Sequence, residues 1–386
     1  MKIIYIHQYF RKPEQGGALR SFYLAKALVD AGHTVDLITA HDAANYRLEQ
    51  VAGIRVHYLP VTYNNRFNAA RRILSFLKFT WNSIWLTFKI KNPDLCYATS
   101  TPLTVGLVAL ALKKLKNIPF YFEVRDLWPE APIQLGYIRP KILQHLLYAF
   151  ERYLYRQADK VVALSPGIRA GIAPYKPDTA IALLPNMSDC QFYTSVSPPH
   201  HNLDDDFFIL YAGALGRANN LKALLDVAVA CLVHKLPQIK FIIAGTGAEA
   251  DLLQDQARKR NLTNIIWAGT LNREQVREYL AAAHATYTSF DTQPILSTTS
   301  PNKFFDSLAA GKLTIVNTQG WLKELVEQHH CGFYAAPDDP ESFIQKIFPY
   351  LQQPILLLQA QQNARHLAES KFSRAKTTSQ FLKLFQ

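Results

Sequence analysis

Cysteine is scarce: Cys96, Cys190, Cys231 and Cys331 are the only four in 386 residues. Their scattered spacing supports neither a zinc site nor a disulfide framework and points to a reducing compartment. Long apolar runs are also missing. The longest clean one, Leu103 to Leu112, is too short to cross a bilayer. The apolar stretch after Lys2 is broken by His7, Gln8 and Arg11, so no secretory leader is expected. Between residues 50 and 93 there is no Asp or Glu at all. The glycine turn at Gly16-Gly17 is not a G-x-G-x-x-G, which leaves a nicotinamide-type site unsupported.

What is present is ample for two domains: 386 residues, 49% of them hydrophobic. The formal charge of +12 is unevenly placed, because residues 1–190 hold a net +11. The basic half should meet something anionic. The acid-free span carries Arg55, Arg66, Arg71, Arg72, Lys78, Lys89 and Lys91, interleaved with Phe67, Phe76, Phe79, Trp81, Trp85 and Phe88. Its period is helical from about 68 to 89. Basic, aromatic and amphipathic together predict contact with an anionic membrane surface through residues 66–91. The other reading is a helix packed on a sheet with a solvated basic face. Aromatics in one helical pattern, rather than on an exposed sheet or a helix-turn-helix, speak against nucleic acid.

Along the chain, apolar strands alternate with helical patterns, which predicts an α/β class with doubly wound, Rossmann-like domains. The expected division is 1–190, a linker at 191–206 rich in Pro, His and Asp, and 207–371. Arg125 and Asp126 follow a strand at 120–124, and polar residues at a strand's C-terminal end lie in the ligand crevice of such a sheet. An Arg-Asp ion pair bracing the loop is the alternative. Gly245, Gly247 and Glu249 read as a tight strand-to-helix turn whose glycines need no ligand. The most informative stretch runs from Ser300 to Gly311. Ser300 is placed as the N-cap, Pro301 as the first helical residue and Gly311 as the stop. Lys303 and Asp306 share a face at the helix start. Such an N-terminus attracts phosphate, and an Asp one turn on can accept bonds from sugar hydroxyls. A capped surface helix with an i,i+3 ion pair explains the same spacing.

"SPNKFFDSLAAGK" before a strand resembles the signature of retaining glycosyltransferases of family 4, which have the GT-B fold: two such domains facing across a cleft. The last helix, 372–386, then crosses back onto the first domain. The resemblance implies that Asp306 stands for the second acid of a Glu-x7-Glu motif, which binds the donor ribose. Thr298 stands where the first Glu would be. "HQYF…GG…R" resembles the family's N-terminus, implying that the Gly16 and Gly17 amides approach the donor pyrophosphate. "RDLWPE" resembles the O-antigen and capsule subgroup, placing Arg125 and Asp126 near the transferred sugar. The turn after residue 212 holds an Arg and a Lys in relatives. Ala214 and Asn219 stand at those positions, leaving Arg217 as the nearest candidate. The turn at Thr270 would meet the donor base, and Ser300 and Asn302 would join Lys303 at the donor.

The resemblance thus implies glycosyl transfer from a nucleotide-sugar, a UDP-sugar first. The expected acceptor is a polyprenyl-diphosphate-linked saccharide at the inner face of the cytoplasmic membrane. It implies retention of configuration and no obligatory metal. Arg125, Asp126 and Lys303 are the expected catalytic residues. Two rivals stand beside this: a nucleotide-sugar 2-epimerase of the same fold, and a non-catalytic sugar-binding or membrane-tethered scaffold protein.

Overall fold

The computed structural model describes residues 1–64, 67–194 and 206–386. Arg66 and most of the expected linker lie outside the described residues. The chain forms two compact units, Met1–Pro185 with Thr377–Gln386, and Asn186–Lys376. The division after Pro185, rather than near 190, has a local cause. Ser188 donates its N–H to the Phe372 carbonyl at 2.7 Å and its hydroxyl to the Phe305 carbonyl at 2.9 Å, both in the second unit.

The first unit is an eight-stranded sheet of β1 (Lys2–Ile6), β2 (Thr34–His41), β3 (Arg47–Val51), β4 (Ile54–Pro60), β5 (Leu95–Thr99), β6 (Phe120–Val124), β7 (Lys160–Ala163) and β8 (Ile181–Leu183). The order is β3-β4-β2-β1-β5-β6-β7-β8, parallel except for β3 against β4. The second unit has β9 (Phe207–Ala212), β10 (Ile239–Ala244), β11 (Ile265–Gly269), β12 (Ala285–Thr288), β13 (Leu313–Val316) and β14 (Gly332–Tyr334). Its order is β11-β10-β9-β12-β13-β14, parallel throughout. Helices cover both faces of such sheets, which is why β5 and β12 are buried at every residue. Strand order reverses between β1 and β5, and between β9 and β12. Ligands bind beside such points, at the strands' C-terminal ends.

The β3–β4 hairpin is absent from the sequence reading. Its turn residues, Ala52 and Gly53, have φ of 49° and 84°. Two positive φ values fit the tight turn that joins twisted strands, but an alanine there carries none of the usual Asn-Gly signal. At the other end of the chain, Phe381 and Phe385 pack on Tyr97, and Tyr121 and Lys160 donate to the Leu384 carbonyl.

The helix Ala69–Lys89 is capped by Asn68, whose side chain accepts the Arg71 N–H at 2.9 Å. Its polarity is inverted. Ser75, Phe79, Thr80, Ser83 and Thr87 face inward, whereas Leu74 and Trp81 are each 63% exposed and Trp85 is 59% exposed. Ser75, Thr80 and Thr87 satisfy their hydroxyls on carbonyls of their own helix, at 2.7 to 3.0 Å. The outer face carries exposed cations, among them Arg71, Lys78 and Lys89, together with these exposed apolar side chains. Among the described residues, no helix is long and apolar enough to cross a membrane.

Candidate active site

The helix Asn302–Ala309 follows β12 at the reversal point of the second sheet. Its buried stripe is Phe304, Phe305, Leu308 and Ala309. Ser300 is not its N-cap: Pro301 takes that position with extended backbone, and the helix begins at Asn302. The Ser300 hydroxyl instead accepts the Asn186 N–H at 3.3 Å, and its carbonyl accepts from the Asn186 amide. The Trp321 indole donates to the Thr299 carbonyl at 2.7 Å. These bonds fix the loop that aims the helix start.

Lys303 reaches across to the end of β9. Its ammonium donates to the Asn219 side-chain oxygen at 2.9 Å and to the Tyr211 hydroxyl at 3.1 Å. It also sits over the Tyr211 and Phe290 rings, 4.3 and 5.2 Å from their centroids. Among the described residues no carboxylate pairs with it, and burial pulls its pKa down to about 7. Gly213 passes so close that a Cβ there would lie 3.3 Å from the ammonium. The turn beyond is packed on its neighbour: a Cβ at Gly245 would meet the Gly213 carbonyl oxygen at 1.8 Å, and one at Gly247 the Leu215 oxygen at 2.1 Å. Those two glycines serve backbone packing.

Asp306 lies one turn along from Lys303 but makes no ion pair with it. Burial pushes its carboxyl up to about 7, against the pull of Arg273 and a hydrogen bond with Tyr193. Arg273 is itself held by Asp189 at 2.6 Å and lies over the Phe192 ring at 3.6 Å. Asp189 also bonds Arg374 at 3.0 Å. Thr298 turns inward on its own short helix, its hydroxyl donating to the Ile295 carbonyl at 2.7 Å. Arg217 is exposed and Thr270 is exposed at the end of β11. The structure brings Lys303 to the Asn219 turn and leaves Arg217 and Thr270 at the surface. Sequence reasoning missed Tyr211, Phe290, Tyr193 and Arg273. Nothing in their spacing marks them, because β9, β12, β11 and the stretch after Pro185 converge only in the fold.

In the first unit, Gly16 and Gly17 both have positive φ, 65° and 79°, in the turn before the helix Arg20–Asp30. The Gly16 N–H is donated to Pro13 at 3.2 Å, while Gly17 is exposed. Arg125 does not form the bracing ion pair with Asp126. Its guanidinium lies 3.3 Å from Nε2 of His7, a residue buried just beyond β1, and its N–H donates to Ser100. Burial and the Arg125 charge hold the His7 imidazole well below its usual value, so it is neutral. Burial raises the Asp126 carboxyl, partly offset by Arg125. Behind this edge, Arg20 and Glu123 form a fully buried pair. Arg20 Nε meets a Glu123 oxygen at 2.9 Å, Tyr97 donates to the same oxygen at 2.7 Å, and Arg20 reaches the Leu184 and Pro185 carbonyls.

Two sequence families match in succession. The Glycosyl transferase 4-like domain matches residues 15–187, and Glycosyl transferases group 1 matches residues 194–367. The putative glycosyltransferase EpsD of Bacillus subtilis (strain 168) is 23% identical over 187 residues, 48% of this chain. The match spans about half of that relative, 47% of its length. Among solved structures, sucrose-phosphate synthase from Thermosynechococcus elongatus is similar with a TM-score of 0.82 at 18% identity, over 100% of this chain and 98% of that one. Anabaena Alr3699/HepE, solved in complex with UDP, has a TM-score of 0.73 at 17% identity, over 100% and 99%. These likenesses show the fold, two parallel-sheet domains of the GT-B kind.

Proposed function

The chain belongs to the glycosyltransferases built from a 4-like domain followed by a group 1 domain, and from that premise we propose that it moves a sugar from a UDP-sugar to a polyprenyl-diphosphate-linked saccharide with retention of configuration, in bacterial surface polysaccharide synthesis. The observation that carries the donor half is Lys303. The family resemblance places a phosphate-binding lysine at the position of Asn219; here the Lys303 ammonium arrives at Asn219 from the opposite side of the reversal point. A buried cation without a carboxylate partner is a site waiting for an anion. The diphosphate of the donor supplies it, beside the N-terminus of Asn302–Ala309 and within reach of Ser300 and Asn302. Asp306, one turn on, accepts the ribose hydroxyls. HepE was solved with UDP and with UDP-glucose, which supports uracil as the base.

The chemistry then needs little more. Charge on the leaving diphosphate grows as the glycosidic bond breaks, and Lys303 meets it in a low-dielectric setting. The leaving phosphate accepts the proton of the acceptor hydroxyl on the same face, so no protein base is needed at Thr298. Arg125 and Asp126, with neutral His7 beside them, take the sugar and acceptor side. A divalent metal is not obligatory in this reading. The inverted helix Ala69–Lys89 holds the first unit on anionic lipid at the inner face of the membrane, where Trp81 and Trp85 bury in the headgroup boundary.

The test is transfer of labelled sugar from a panel of UDP-sugars to a polyprenyl-diphosphate-linked saccharide, with and without chelator. Label in the lipid-linked product, in both conditions, is expected. Label converted in the donor alone, without acceptor, would mean an epimerase. For the membrane half, the protein is expected to pellet with anionic vesicles at low salt and to be released at high salt, with the triple variant Arg71→Glu/Arg72→Glu/Lys78→Glu left in solution. Equal pelleting of the two proteins contradicts the docking.

A further inference from the structure

Between the helix Ala69–Lys89 and the helix Val105–Lys116 runs a groove of about 670 Å³. Leu77, Trp81, Ile84, Leu107, Leu115 and Tyr153 line it, with Ala111 at its floor and one cation, Lys114, at its rim. Leu77, Trp81, Leu107, Leu115 and Tyr153 are all exposed, so the apolar lining faces water. The Thr80 hydroxyl, the other polar group there besides the Tyr153 phenol, is already bonded to the Phe76 carbonyl at 2.8 Å. An extended protein segment laid in this groove would leave its backbone N–H and C=O groups without partners. A hydrocarbon chain has none to satisfy.

The surrounding charge selects among hydrocarbons. Neither helix contains a single carboxylate. The helix Lys141–Gln157, which supplies Tyr153, contains one, Glu151, and that one is buried and bonded to Tyr155 at 2.6 Å. Lys114 is exposed at the groove, and Lys78 and Lys89 are exposed elsewhere on the helix that forms one of its walls. We propose that the groove is a lipid subsite: it takes one acyl chain of an anionic membrane phospholipid, whose phosphate meets Lys114. The inference rests on the membrane docking proposed above and deepens it, from adsorption on a charged surface to stoichiometric capture of a single lipid.

Dihexanoyl-phosphatidylglycerol, kept below its micellar threshold so that no bilayer exists, is the direct probe, read by the change in tryptophan fluorescence to which Trp81 in the groove contributes. Saturable binding of one lipid per chain is expected. Ala111→Phe, which fills part of the groove, should weaken it about tenfold, as displacing about two methylenes would. Leu107→Asn, which makes this exposed wall polar without adding charge, should do the same if Ala111→Phe fails to fold. Lys114→Gln should cost about fivefold with phosphatidylglycerol and nothing with dihexanoyl-phosphatidylcholine. Unchanged affinity in the folded groove variants, or no saturable binding by the wild type, overturns the subsite. Farnesyl phosphate binding far more tightly than phosphatidylglycerol overturns the choice of occupant in favour of the acceptor's own chain. Anionic vesicles separate the two levels. Pelleting without monomer binding removes only the subsite, whereas failure of both removes the docking as well.

Discussion

Arg20 and Glu123 lie in the first unit as a closed pair, bonded to each other, to Tyr97 and to two carbonyls. Lys303 and Asp306 lie in the second unit one turn apart on one helix, each among uncharged or distant partners, and each drawn to about 7 by burial. Both pairs occupy the C-terminal side of a parallel sheet near its reversal point. The first is built to stay neutral as a pair and to hold the strand ends β6 and β8 in place. Among the described residues, the second leaves a buried cation and a buried acid without a charged partner of their own, which in the proposed function the donor's diphosphate and ribose hydroxyls would supply. Buried charge in the first unit is architecture; in the second, on the function proposed above, it serves donor binding.

The largest effect should come from breaking the closed pair. Glu123→Ala leaves Arg20 buried without its counter-ion, so denaturant unfolding should show a loss of about 3–5 kcal/mol. A small loss there would mean the pair is not the prop of the first unit. Lys303→Ala should leave folding intact and lower kcat about 10²-fold, with a smaller rise in the donor KM, because the contact tightens as the leaving group gains charge. An effect confined to KM would reduce Lys303 to a ground-state anchor. Asp306→Ala should weaken UDP binding by about 1.5–3 kcal/mol in calorimetry, and Asp306→Glu should restore most of it. The smallest effect belongs to the charged outer face. Lys78→Gln should reduce partitioning onto anionic vesicles by about 1 kcal/mol, and the difference should vanish at high salt.

Much of this was legible in the chain. The strand and helix alternation is carried by local apolar runs, and the Ser300–Gly311 stretch names its own helix, Lys303 and Asp306. Its cap was misassigned because Ser300 finds a better partner in Asn186, which no local pattern shows. The β3–β4 hairpin was missed because its turn uses Ala52 at positive φ. The basic-aromatic span was visible as composition, but its inverted polarity was not. Only the structure tells that Ser75, Ser83 and Thr87 face the sheet while Trp81 and Trp85 face out. Within the second unit, Tyr193 and Arg273 reach Asp306 from distant segments, and that grouping is a property of the fold alone.

The central claim is that Lys303 and Asp306 are a donor site held in a poised state, and the pH dependence of UDP binding tests it most directly. Above about pH 7 free Lys303 is neutral and must take up a proton to meet the diphosphate, so affinity should fall as pH rises. Below about pH 7 Asp306 is protonated and loses its charge as a ribose acceptor, so affinity should fall as pH drops. Calorimetric titration across this range should therefore give a maximum near neutrality for the wild type. Lys303→Met should lose the alkaline limb only, and Asp306→Asn should flatten the acid limb to the slope UDP's own phosphate imposes. One common profile for all three proteins would contradict the account.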